Sequence, residues 1–322
     1  MKQLKPLLFK DSYYKGIQKQ LDAIFLQLIY QPVMRIISQD IGKSWVGYKN
    51  AKDDLYEALQ SGRIQYTAPY FEGKFNALIS RELKALGAKW TPSKSAFMLP
   101  EDKLPMDIKT SIATAQARFK KVNEDIEKYF NELTKTMEAM GDNAAFDFEG
   151  LYGKVIGRVE DDFQAIMKNI TVTPVLTKQM AENLARGYSY NLNLYIKKWT
   201  VESILRLRRQ VAENAMYGYR ASNLIETIKQ DYGVSQNKAR FLARQETTLL
   251  LSKFRQERFT DAGVEKYRWS TSNDVRVRAD HKELNGKIFT WDNPPIVDRA
   301  TGRRAHAGED FGCRCVAIPI VD

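Results

Sequence analysis

The chain has 322 residues, 43% hydrophobic and 28% charged, with 16 Tyr and 15 Phe; that is enough for at least one full core and excludes a disordered polymer. No run reaches the roughly 20 apolar residues that a membrane-crossing helix needs: the best, 23–34, is broken by Gln27, Gln31 and Pro32, and residues 1–10 lack the sustained apolar region of a secretory leader, so neither is expected. The net charge of +11 predicts attraction to polyanions, nucleic acid foremost, although basic residues interspersed with acids also describe an ordinary solvated helical face.

Taken in chain order, the first segment, 1–61, reads as helical. Ile17, Leu21, Ile24, Phe25 and Leu28 recur at spacings of three and four, one apolar stripe on a helix that Pro32 should kink or end. The texture changes over 62–105. A short β-like run at 64–66 precedes an amphipathic helix marked by Phe75, Leu78, Ile79, Leu83 and Leu86, which Gly87 stops. Strands at 89–91 and 96–99 follow, joined by the turn chemistry of Pro92-Ser93-Lys94, so this segment is expected to be a small α/β insertion.

A helical body is expected over 106–263. Periodicity runs over 107–140, and a segment containing Gly141, Gly150 and Gly153 leads to a helix near 159–167. Thr177 caps a helix ending near Gly187, and Thr200 caps the next, whose apolar face is Val201, Ile204, Leu205, Val211 and Ala212. Its other face carries Arg206, Arg208 and Arg209. Ser222 then caps a helix that Gly233 ends, and Ser235 caps a long one to Gly263. Two amphipathic helices joined this way form a packed hairpin more often than a DNA-reading unit. Any nucleic-acid contact is therefore expected to be electrostatic and sequence-blind, through Lys197, Lys198, Arg206, Arg208, Arg209, Arg240 and Arg244.

From 264 to 322 the helical period disappears, and 266–270, 287–291 and 315–321 read as strands of a β-rich C-terminal module. The expected fold class is α+β, mainly helical. The chain's two histidines and two cysteines, His281, His306, Cys313 and Cys315, all fall in this module. One explanation is a structural zinc ion held by all four, in a closed site without a reactive water. A single residue between the thiols departs from familiar zinc spacings, but on a strand residues two apart share a face, so Cys313 and Cys315 would converge while Arg314 points away. The other explanation is two small buried core residues. Upstream, Asp274, Arg278 and His281 concentrate acid, base and imidazole; a catalytic grouping is conceivable there, and a buried hydrogen-bonded network is the commoner use.

These residues also form an ordered pattern: Ala243-Arg244-Gln245-Glu246-Thr247 on a helix closed by Gly263, then Tyr267-x-Trp269, Asp274-x3-Arg278-x2-His281, Leu284-x-Gly286, and finally Gly308-Glu309-Asp310 with Cys313-Arg314-Cys315. The pattern resembles the Mu F-like family of phage head morphogenesis proteins, also called minor head or minor capsid proteins, from about 224 to 320. Ala307 stands where the family often has Pro. The resemblance implies a low-copy protein that docks on the portal protein, scaffold or major capsid protein during procapsid assembly in the bacterial host cytoplasm. It further implies a place in the virion, at the portal vertex or capsid interior, contact with packaged double-stranded DNA, and help in its ejection. A non-enzymatic role follows from the resemblance; the alternative is a metal-dependent hydrolase or nucleic-acid-modifying toxin using the His/Cys cluster. Toxin domains of relatives usually follow the Cys-x-Cys, after which this sequence has seven residues.

Overall fold

Apolar residues at spacings of three and four set most of this chain into helices, and the computed structural model is accordingly a mainly helical α+β structure. It describes residues 2–41, 51–139, 146–168, 170, 173–216 and 221–321. The chain divides into two compact units, one of Met1–Asp22, Gly141–Ile196 and Asn237–Asp322, the other of Ala23–Met140 and Lys197–Gln236. Both are discontinuous in sequence: segment 62–105 falls wholly in the second unit and 264–322 wholly in the first.

Helix α1 (Asp11–Phe25) does not end at Pro32. It passes through a π-helical turn, Leu26–Tyr30, into α2 (Gln31–Ile41). The wider turn inserts a residue, so the buried stripe of Ile17, Leu21, Ile24 and Phe25 resumes at Ile29, Val33 and Ile37, leaving Leu28 half-buried. Pro32 offers no N–H to the Leu28 carbonyl one turn back. The Tyr129 hydroxyl donates to that carbonyl instead, at 2.6 Å, which explains how the helix tolerates the proline.

The elements expected over 62–105 are present, with one strand more. Helix α3 (Ala51–Gln60) leads into β2 (Ile64–Thr67), β3 (Tyr70–Gly73), α4 (Ala77–Ala85), β4 (Lys89–Thr91) and β5 (Ala96–Met98). The strands form an antiparallel sheet in the order β2-β3-β5-β4. Asn76 caps α4 by accepting from the Ile79 N–H at 2.8 Å, and Gly87 stops it with φ +88°. The core of this sheet includes Leu55 and Leu59 of α3 and Ile108 and Ile112 of α5 (Met106–Ala139), so it draws on residues on both sides of 62–105.

Two expected breaks are absent. Helix α6 (Glu149–Met167) is followed by α7 (Lys178–Met216), which Thr177 caps through the Met180 N–H at 3.2 Å. It runs through both Gly187 and Thr200. Its buried residues Leu192, Ile196, Trp199, Ser203, Leu207 and Val211 keep one uninterrupted helical period across Thr200, which is itself buried mid-helix. Leu205, expected on the apolar face, is 58% exposed because Ile204 and Leu207 occupy that stripe.

Helix α8 (Ala221–Asp261) likewise runs through Gly233 and Ser235. Its buried stripe across Gly233 and Ser235 includes Leu224, Ile228, Asp231, Ser235, Ala239 and Leu242. Two of them are polar, so the stripe is disguised in the sequence. The Tyr30 hydroxyl donates to Asp231 Oδ2 (2.5 Å) and lies 2.5 Å from Ser235 Oγ, while Arg206 pairs with the other Asp231 oxygen. Ser235 thus spends its hydroxyl on an interhelical network, not a cap. Of the other expected caps and glycines, Gly141 lies outside the described residues, whereas Gly150 and Gly153 lie within α6.

Gly263, at φ +75°, closes α8, and the C-terminal module follows. Strands β6 (Lys266–Ser270), β7 (Ile288–Thr290) and β10 (Val316–Val321) join β1 (Lys2–Gln3) in an antiparallel sheet of order β1-β10-β6-β7. The N-terminal strand, not expected from the sequence, pairs Lys2 with Val321 and Gln3 with Ile320. Pro319 sits inside β10 opposite Tyr267, and its carbonyl accepts from the Leu4 N–H at 3.0 Å. N–H and carbonyl of one strand residue point to the same side, so the donor that proline lacks would have faced the short β1 rather than β6. A short helix, α9 (Ala279–Leu284), and the pair β8 (Ile296–Asp298) and β9 (Arg303–Arg304) complete the module.

Candidate functional site

The strand pairing of β10 with β6 and the one-turn-and-a-half helix α9 bring three of the four expected ligands together. His281 lies on α9, and Cys313 and Cys315 lie just before β10, which starts at Val316, so the thiols precede the strand they were expected to occupy. His281 Nδ1 is 3.5 Å from Cys313 Sγ and 3.6 Å from Cys315 Sγ. One ligand atom of each residue lies within 4.8 Å of the others. His281 and Cys315 are buried and Cys313 is half-buried.

The other face of the imidazole is fixed by a carboxylate. His281 Nε2 donates to Asp310 Oδ2 at 3.0 Å, which leaves the Nδ1 lone pair toward the sulfurs. Asp310 is 1% exposed; it also accepts from Arg278 (2.9 Å) and from Arg303. Arg278 reaches on to the Phe311 carbonyl at 2.6 Å. The imidazole stands edge-on to Trp269, 5.5 Å between ring centroids, and the Trp269 indole N–H, without a hydrogen-bond partner among the described residues, faces the Cys315 sulfur. The Cys315 thiol donates to the Cys313 sulfur, and this bond, ahead of that with His281, holds the Cys313 thiol far below its usual range. The same bond together with burial drives Cys315 upward, and Cys313 in turn raises the His281 pKa.

His306 is not brought to this group. Its Nδ1 lies 3.0 Å from the Tyr267 hydroxyl, its ring packs near Trp291, and burial lowers its pKa. Residue type did not separate it from His281, although the ordered motif contains His281 and not His306. Conversely, Asp310 stands in the Gly308-Glu309-Asp310 motif but was not expected at the site, because an acid in a turn carries no periodic signal.

The remaining motif residues hold the tail in place. Arg314 does point away from the thiols and pairs with Asp274 at 2.6 Å, a bond that lowers the Asp274 pKa. Gly286, at φ +79°, turns the chain so that its N–H reaches the Trp269 carbonyl at 2.8 Å. Gln245 on α8 accepts from the Gly312 N–H at 2.7 Å, beside the thiols. Arg255, wholly buried, gives its Nε to the Leu7 carbonyl at 2.8 Å, and burial lowers its pKa to about 10. Glu246 is 1% exposed, and burial raises its pKa to about 7 against a hydrogen bond with Asn191.

Residues 206–318 match the family described as Phage Mu protein F like protein. The family resemblance read from the motifs is thus shown over that span, which begins upstream of Leu224 and takes in the end of α7. The chain is also similar to the minor head protein GP7 of Bacillus phage SPP1, 28% identical over 135 residues, 39% of this chain and 44% of that protein. An uncharacterized protein of Haemophilus influenzae is 32% identical over 161 residues, 50% of this chain and 33% of that protein. The chain therefore spans less than half the length of these curated relatives. No solved structure matches it.

Of the residues expected to meet nucleic acid, two are already committed to carboxylates. Arg206 pairs with Asp231, and Arg208 pairs with Glu127 at 3.2 Å and donates to Asn131. Lys198, Arg209, Arg240 and Arg244 are exposed, Arg244 lying over the Phe9 ring at 5.5 Å, and Lys197 is half-buried. Among the described residues no helix is long and apolar enough to cross a membrane.

Proposed function

We propose that this protein acts in phage head morphogenesis as a minor head protein. The observation that carries the reading is the family match over 206–318 together with the similarity to a phage minor head protein. On this reading the chain docks at the portal vertex or on the procapsid in the bacterial host cytoplasm, remains in the virion and contacts packaged DNA. A net charge of +11 and the exposed cations Lys198, Arg209, Arg240 and Arg244 support phosphate contact.

The role is non-enzymatic. A metal-dependent hydrolase built on the His/Cys cluster would need a carboxylate or imidazole free to take a proton from a bound water. Asp310, the carboxylate joined to this cluster, is instead engaged by His281, Arg278 and Arg303.

The test is a deletion of the gene from its phage. Coat protein should still be made, infectious particles should fall, and the protein should co-sediment with portal or procapsid from wild-type lysates. Normal yield and normal ejection from the deletion phage would overturn the reading. Binding to DNA should weaken steeply with salt and ignore sequence.

A further inference from the structure

We infer that His281, Cys313 and Cys315 hold one zinc ion, bound through His281 Nδ1 and the two sulfurs, with the fourth coordination position open toward solvent. In a tetrahedral site with Zn–S near 2.3 Å and Zn–N near 2.0 Å, nitrogen and sulfur ligands lie about 3.5 Å apart. The structure has both sulfurs at that separation from the same nitrogen, 3.5 and 3.6 Å. Both sulfurs converge on the one lone pair of that nitrogen, as the ligands of a shared cation do.

The surroundings of the three ligands suit a metal-bound dithiolate. Asp310 on Nε2 fixes the imidazole in the tautomer whose Nδ1 is free to ligate, the arrangement of a carboxylate–histidine–metal triad. The buried Trp269 indole N–H has no other acceptor among the described residues and faces the Cys315 sulfur, as a donor to a ligating thiolate does. Soft sulfur donors with imidazole select zinc over calcium or magnesium, whose ligands are oxygens. His306 is held by Tyr267, so the site has three protein ligands, and the half-buried Cys313 marks the side on which a water completes the tetrahedron. The ion ties α9 to the segment leading into β10, two parts of the chain about thirty residues apart. This inference does not depend on the role in head assembly.

The full-length protein, produced with zinc and purified without chelator, should contain about one zinc per chain by elemental analysis. Cobalt(II) in its place should give thiolate-to-metal charge-transfer absorption with the strong visible bands of a four-coordinate ion. Cys315→Ser should lose the metal, whereas His306→Gln should retain it, which separates three ligands from four. Should Cys315→Ser fail to fold, alkylation of the wild-type chain decides: both thiols should be protected until a chelator is added, then react together with release of the metal. A metal-free preparation with an intact, protease-resistant tail, a Cys313–Cys315 disulfide in the purified protein, zinc retained by Cys315→Ser, or zinc lost from His306→Gln would each overturn the inference.

Discussion

Glu246 offers the most direct test of the packing around α8. It is 1% exposed, one of its oxygens has no hydrogen-bond partner among the described residues, and burial raises its pKa from 4.5 to about 7. A carboxyl group whose pKa is higher folded than unfolded binds more protons in the native state between those two values. Stability therefore falls as pH rises from about 4.5 through about 7, and above 7 the full penalty applies. At about 1.4 kcal/mol per pKa unit the ionised carboxylate costs on the order of 3 kcal/mol at pH 8.5 and close to nothing at pH 4. Glu246→Gln removes the titration while keeping the shape. Urea unfolding followed by tryptophan fluorescence at pH 4 and pH 8.5, for both proteins, gives a double difference in which other titrating groups and any constant cost of the amide cancel. The variant should gain about 3 kcal/mol relative to the wild type on going from the lower to the higher pH. A difference that does not change with pH would show that Glu246 is not desolvated as described. A variant that becomes relatively weaker at high pH would show that the ionised carboxylate has a partner, and the reasoning would fail.

Other perturbations test the continuity of the helices. Gly233→Ala should stabilise the chain by about 0.5–1 kcal/mol in thermal unfolding, because Gly233 lies inside α8 with open space where a Cβ would be; destabilisation would restore the turn that the sequence suggested. Tyr129→Phe should cost about 1 kcal/mol by removing the hydrogen bond to the Leu28 carbonyl that Pro32 leaves unpaired, and the loss should shrink in a Pro32→Ala background, where that carbonyl regains a backbone donor.

Elements with strong local signals were legible in the sequence. The α4 stripe with its Gly87 stop, the turn at Pro92-Ser93-Lys94, the Thr177 cap and strand β6 all rest on neighbours within a few residues, and each stands close to where it was expected. The misreadings share a cause: a residue type was given its commonest local role where a distant partner had another use for it. Pro32 is tolerated through Tyr129, Ser235 and Asp231 serve Tyr30, and Gly187 and Gly233 cost the long helices too little to break them. Strand β1 was invisible because two residues carry no period and its pairing partner is at the far end of the sequence. In the site, the residue types were readable, whereas the two thiols meet in the segment before β10 rather than on a strand face, and the separation of His281 from His306 is made by α9 and by the Tyr267 hydroxyl.

The pairing of Lys2 with Val321 sets an order of events on the ribosome. During synthesis β1 precedes the other strands of its sheet, and β6 and β7 can pair before β10 exists. Only once β10 has been made can it take its place between β6 and β1. The entropy of closing so long a loop grows only logarithmically with length, so the cost in final stability is modest, but the delay is unavoidable. Until then the β6 edge stands open to pairing with another chain, a hazard that rises with local concentration where many copies are translated together.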